Sequence, residues 1–309
     1  MRLQLRSLLA AVALVFASSN IARAVDMLMV TLNNNSVVKY DVSSFNATTI
    51  QNSAQVFINT NLTTARGIAV DTSGNVYVAS TDDQTISKFN SSGSFLSSIG
   101  SSTNLKWPTG LAFDSSGNLY TTNGGNNNVA KFDSSGNYVS SFGSNLNSPY
   151  GIAIDSSRNF FVTSFNSGTI EKFDSTGAYV SQFASGLNKP YGVTFDLAGN
   201  IYVANFNGNS VNKYNSSGGL VSTISSNLNN PTGLLFDSTG NLYVTNWGNN
   251  TIAKFNSSGA YQFSWSTASN PAYMAFTLSN VPEPSTYALC AIATGVMAAV
   301  ARRRKARKG

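Results

Sequence analysis

One pattern returns five times along this chain and narrows the folds open to it. Aligned on the glycine of a Gly-[Ile/Val/Leu]-x-[Val/Ile/Phe]-Asp signature, the copies fall at Gly67, Gly110, Gly151, Gly192 and Gly233, at spacings of 43, 41, 41 and 41 residues. The copy beginning at Pro231 shows the parts: PTGLLFD, then STGN, LYVT, NWGNN, TIAKF, NSSG and AYQFSW. Short runs rich in β-branched and aromatic residues alternate with Gly, Asn and Ser turns, so each copy reads as four antiparallel strands. A four-stranded unit of about 40 residues is the period of a propeller blade.

The ends of the repeat fix the number of blades. Residues 27–40, MLMVTLNNNSVVKY, align with second and third strands and have no first strand before them. Residues 271–276, PAYMAF, align with a first strand and have no second strand after them. Joined, the two fragments make one blade. The expectation is an all-β, six-bladed propeller over residues 25–280, closed by its own N- and C-terminal strands. Closure removes sheet edges that would otherwise pair with other chains.

Charge and cysteine content exclude several chemistries. There is no histidine, so His-based acid/base catalysis, Ser-His-Asp triads and His metal sites are unavailable. A single cysteine, Cys290, leaves no disulfide framework. The net charge of +6 belongs to the ends: of 19 basic residues, three lie in the first 24 positions and six in the last eight. The middle keeps ten against all 13 acidic residues and is mildly acidic, so a nucleic-acid partner is not expected.

Both ends read as addresses. Residues 1–24 combine Arg2 and Arg6, an apolar run from Leu8 to Ala17 and an Ala22-Arg23-Ala24 cleavage site, which is a secretory signal peptide. Residues 281–309 carry Pro282-Glu283-Pro284, an apolar run from Tyr287 to Ala301 and an Arg-rich end. Fifteen apolar residues are short for a span, yet the basic cluster behind them would hold the tail on the cytoplasmic side as a short transmembrane helix. This order resembles the PEP-CTERM sorting signal of Gram-negative bacteria. The resemblance implies an exosortase-type protease as partner and export across the inner membrane. It also implies anchoring there through the C-terminal helix before processing, then residence at the cell surface or in an exopolysaccharide (biofilm) matrix.

Within the body, Asp71, Asp114, Asp155, Asp196 and Asp237 recur at the head of a turn that reads Asp-x-x-Gly-Asn in every copy but that of Asp155. One carboxylate per turn is too few for calcium, and a turn-capping role is expected. Lys39, Lys88, Lys131, Lys172, Lys213 and Lys254 each precede an aromatic in a third strand, and their stems are expected to lie along a neighbouring blade. Strand direction alternates, so the inter-blade loops and the loops between second and third strands share one face. That face collects Arg66, Lys106, Trp107, Tyr150, Lys189, Tyr191, Asn123, Phe165, Asn205, Phe206, Asn246 and Trp247. Aromatic rings beside amides suit sugars, and the candidate ligand-binding set is Arg66, Trp107, Tyr150, Tyr191, Asn205, Phe206, Asn246 and Trp247. The competing expectation is that the rings pack between blades and the Asn residues shape turns. No catalytic residue, metal site or cofactor is expected.

The blade motif also resembles the NHL repeat, P-x-G-[IV]-A-[VI]-D-x-x-G-N-[IV]-Y-V-A-D followed by N-x-R-I, over nearly all of residues 27–277. The first half matches closely. In the second half the Asp after the second strand is replaced by Ser80, Asn123, Ser164, Asn205 and Asn246, and the Arg by Thr or Ser in four of the five copies. The resemblance implies the fold, and the departures remove the charged face that some NHL proteins use. The function expected is a non-enzymatic binding or scaffold protein, whose partner is extracellular polysaccharide or a surface protein. The alternative is a propeller enzyme. A histidine-dependent lyase is excluded by composition; a hydrolase or lactonase needs Glu, Asn and Asp clustered in the channel, whereas the body has a single glutamate, Glu171, in a third strand.

Overall fold

The structure, a computed structural model, describes residues 27–43 and 46–277. They form six four-stranded antiparallel sheets arranged as the blades of a ring. Five blades are continuous in sequence, at 65–99, 108–142, 149–184, 190–224 and 231–266, and are called blades one to five. The sixth is built from both ends of the body: Pro271–Phe276 is its inner strand, followed outward by Met27–Leu32, Ser36–Asp41 and Gln55–Ile58. The closing register pairs Leu28 with Phe276, Met29 with Ala275 and Val30 with Met274. The expected signal peptide and sorting tail lie outside the described residues.

Burial follows position in the blade. Second strands have packed neighbours on both faces and read as unbroken apolar or small runs; Val76–Ser80 is buried throughout. Fourth strands form the outer rim, and Phe95–Ile99 is exposed at all but its last residue. Six apolar clusters fill the spaces between adjacent blades. A short helix, Ala47–Asn52, interrupts the sixth blade and has no counterpart in the repeat. Asn46 caps it by accepting from the Thr48 and Thr49 amides, and Ile50 is fully buried against the fifth and sixth blades.

Each complete blade carries the same irregularity in its inner strand. Pairing slips around the repeated glycine, between Ala65 and Ile68 in blade one and at the matching positions of the other four. A bulge of this kind re-aims the residue beside it. The sites so affected are Arg66, Thr109, Tyr150, Tyr191 and Thr232, one per blade, where each inner strand starts on the loop face. Four blades add a stitch that sequence reading missed. Thr122 Oγ1 accepts from the Gly110 amide at 2.6 Å and donates to the Tyr150 carbonyl of the next blade at 2.7 Å. Thr163, Thr245 and Thr31 repeat the relay. Its cue was a threonine on an otherwise apolar second strand.

Candidate functional site

The repeated aspartates cap turns. Asp114 Oδ1 accepts from the Ser116 and Asn118 amides and Oδ2 from the Asn118 side chain and the Tyr120 hydroxyl. Asp71, Asp155, Asp196 and Asp237 do nearly the same. Burial pushes Asp114 and Asp196 up, but the hydrogen bonds from Asn118 and Asn200 outweigh it and leave both below the usual range. Asp133 and Asp174, exposed on the outer turns, are lowered by bonds from Asn137 and Thr176. Carboxyls depressed in the folded state stabilise it fully above their unfolded pKa of about 4, and that stability is lost as pH falls through the lowered values. Thermal melts should therefore be flat between about pH 7 and 5 and drop below about pH 4, with a shallower drop in Asp114→Asn/Asp196→Asn. An unchanged slope in that double variant would remove these turns from the acid response.

The third-strand lysines cover rings of their own blade. Lys88 Nζ lies 5.1 Å from the Tyr77 ring centre, and Lys131, Lys172, Lys213 and Lys254 sit similarly over Tyr120, Phe161, Tyr202 and Tyr243. Lys39 lies 3.4 Å over Phe57. The expectation of stems lying along a neighbouring blade is replaced by a cross-strand cation–π pair within one blade.

The last residue of the second strand has one repeated duty in the five complete blades. Ser80, Asn123, Ser164, Asn205 and Asn246 each accept from the backbone amide 17 positions earlier, in the loop that enters their blade. The acceptor of the NHL Asp is thus kept while its charge is dropped. Asn205 and Asn246 belong to the candidate ligand set, yet their carboxamides are engaged in holding loops. Asn246 Nδ2 donates to Asn227 O and Thr251 Oγ1, each at 3.2 Å, and the residue is fully buried. Asn205 accepts from the Asn188 amide at 2.6 Å and donates to Ser210 Oγ at 3.2 Å.

Five of the eight candidate residues come together over the ring axis. Tyr150 packs on Tyr191 with ring centres 4.6 Å apart, and Tyr191 on Phe206 at 5.8 Å. The Arg66 guanidinium lies 4.5 Å over the Trp247 ring, reaching from blade one to blade five. Phe165 joins the group against Tyr150 at 4.6 Å. Trp107 stands apart on its inter-blade loop, half exposed, with Lys106 Nζ 5.7 Å from its ring. The residue that sequence reasoning missed is Tyr273, in the sixth blade at the position glycine holds in the other five. Its ring lies 5.6 Å from Tyr191 and its hydroxyl donates to the Tyr150 carbonyl at 3.1 Å. The signal was visible as PAY against P-x-G.

Together these rings stop the loop-face end of the central channel. Burial pushes the Tyr191 phenol up to about 12 despite the opposing charge of Arg66, and Tyr273 rises well above its ordinary value from burial. Both are neutral phenols in any physiological solution. Beneath them the channel is a cavity of about 540 Å³ lined by Ile68, Leu111, Ile152, Val193, Leu234 and Met274, with no carboxylate on its wall among the described residues. A second cavity, about 590 Å³, lies on the turn face between blades three and four, beside Asp155, Lys172 and Asp196. Glu171 is buried in the third strand of blade three, bonded by Thr169 at 2.7 Å and Tyr179 at 3.2 Å. Among the described residues no three His, Cys, Asp or Glu side chains cluster as metal ligands.

Comparison with known proteins agrees with this architecture. The sequence matches the NHL repeat over residues 105–132 and 228–255, a β-propeller repeat over 51–81 and the PEP-CTERM protein-sorting motif over 280–305. No curated protein matches the chain at a significant level. Among solved structures, a chain of the nidogen/laminin complex superposes with a TM-score of 0.72 at 19% identity, covering 83% of this chain and 100% of that one. Virginiamycin B lyase from Staphylococcus aureus superposes with a TM-score of 0.57 at 17% identity, covering 69% and 77%. A Bacteroides caccae protein of unknown function gives 0.66 at 13% identity, covering 82% and 99%. Enzymes and non-enzymes thus share the fold, and at these identities the likeness carries the fold alone. The chain is a six-bladed β-propeller of NHL and related propeller repeats, followed in sequence by a PEP-CTERM sorting motif.

Proposed function

We propose that this protein is an exported, non-enzymatic scaffold of the cell surface or extracellular matrix that holds glycan on the loop face of its propeller. The observation that carries the reading is the aromatic group over the axis, set on the face opposite Met27 and Thr277. Met27 begins where second strands leave the turn face, and Thr277 donates to the Met27 carbonyl at 3.1 Å. The first and last described residues of the body therefore meet on the turn face, and a body held from that face would present Arg66, Trp107, Tyr150, Phe206 and Trp247 outward. Rings favour the apolar faces of sugars, so binding of a neutral glycan should change little with salt.

A glycan array followed by titration of the full chain in neutral detergent tests the reading. Trp107→Ala/Trp247→Ala should weaken neutral-glycan binding by about tenfold or more, because a ring laid on a sugar face is worth about 1–3 kcal/mol. These two positions are preferred to Tyr191, which is 5% exposed and whose truncation would cavitate the core. Retained affinity in the double variant would sink the proposal.

The address has its own test. The PEP-CTERM motif implies processing by exosortase and export to the envelope of a Gram-negative bacterium. Replacing Glu283, or Pro282 and Pro284 together, should leave the tail uncut and the protein in the inner-membrane fraction of an exosortase-bearing host. Fractionation and blotting read the outcome, and normal processing of these variants would remove the motif from the sorting step.

A further inference from the structure

The glycan reading leaves Arg66 with more charge than ring stacking needs. It lies on the inner strand of blade one, partly buried, with its guanidinium on the Trp247 ring of blade five and beside the Tyr191 phenol of blade four. The ion pair of Lys213 with Asp196, at 3.2 Å, belongs to the other face, where Asp196 caps a turn. The acids nearest in sequence on the loop face are Asp82 and Asp83. They accept from the Thr64 and Ser80 hydroxyls and do not pair with Arg66. Lys189, a second cation at the edge of the same group, bonds Asn166 at 2.9 Å and lies 5.0 Å over Phe165. Two cations thus border one aromatic group, and among the described residues neither meets a carboxylate.

A guanidinium is a rigid fork of N–H donors that matches a carboxylate, and a partly desolvated one gains most from an anionic partner. Propeller closure holds this fork over the axis, where rings of blades four and five lie against it. Resting on the glycan reading above, we propose that the site is selective for acidic saccharides: Arg66 grips the carboxylate of a uronic acid while Trp247 and Tyr150 contact its ring. Lys189 contributes a second, weaker attraction at the edge.

Polygalacturonate and its fully methyl-esterified form test this, because they share a backbone and differ in the charge on the carboxylate. With the full chain in neutral detergent, the acid form should bind about tenfold more tightly, and about 0.5 M salt should erase that advantage while leaving the ester untouched. Arg66→Gln should bring the acid form down to the level of the ester, and Arg66→Lys should restore part of the difference. Lys172→Gln, which removes a charge on the turn face, should leave the discrimination intact. Free galacturonate should displace the polymer at concentrations where acetate does not. Equal affinity for acid and ester overturns the inference and leaves the glycan reading standing; binding of neither overturns both. Discrimination that survives Arg66→Gln, or displacement by acetate as effective as by galacturonate, overturns the assignment of Arg66 to a uronate. Should Arg66→Gln lower the melting temperature sharply, the salt arm and Arg66→Lys decide alone.

Discussion

A chain that stops at Asn270 should fail to fold cooperatively, whereas one that stops at Thr277 should melt as the intact body does. The seven residues between supply the inner strand of the sixth blade. Without them the Leu28–Phe276 to Val30–Met274 ladder is lost, the Met27–Leu32 strand turns an unpaired edge to the channel, and Tyr273, Met274 and Phe276 leave the inter-blade clusters they fill. The stitches from Thr232 to the Pro271 carbonyl and from Thr245 to the Ala272 carbonyl disappear with it. So does the Tyr273 bond to Tyr150, which stops the axis. Three sizeable side chains at about 2 kcal/mol each and several hydrogen bonds at about 1 kcal/mol each sum to roughly 10 kcal/mol. That is the whole stability of an ordinary domain, about 5–15 kcal/mol. Circular dichroism melts of the two truncations would show it. A cooperative transition in the shorter chain within a few degrees of the longer would mean that the ring does not depend on closure.

The fold was legible because the repeat fixes it. Five glycines in phase set the blade, and the unmatched PAYMAF and MLMVTL segments set the closure, with no side-chain geometry required. What lay beyond reach was the use each blade makes of a shared position. Asn246 looked like a free amide on an aromatic face; it is spent holding its own loop, because a buried loop amide must find an acceptor and the side chain 17 positions on is the nearest one. Tyr273 read as a plain inner-strand residue, and only the ring geometry brings it beneath Tyr191 and across to Tyr150. Arg66 and Trp247 are 181 positions apart in the chain and meet only because a ring returns to its start. Local pattern identifies the face, and closure decides which of its residues touch.

The glycines that define the repeat make the second large prediction. At Gly67 the backbone is not left-handed; the constraint is the next blade. An added Cβ would lie 2.0 Å from the Thr109 carbonyl oxygen, and at Gly110, Gly151, Gly192 and Gly233 the distances are 2.4, 2.3, 2.3 and 2.6 Å, again to carbonyl oxygens of the following blade. No real Cβ sits that close to a carbonyl, so the blades would have to separate, and a closed ring has no free end to absorb the shift. Gly67→Ala should therefore cost about 3 kcal/mol or more, the upper range for forcing extra carbon into packed structure. At about 2–4 °C per kcal/mol in a body of this size, melting should fall by roughly 6–12 °C. Gly199→Ala is the matched control: its φ of +80° strains any side chain, but nothing lies within 4 Å of the new carbon. It should lose only the about 1–2 kcal/mol of left-handed backbone. If the two variants melted together, the repeated glycine would be serving backbone conformation and not the spacing of blades.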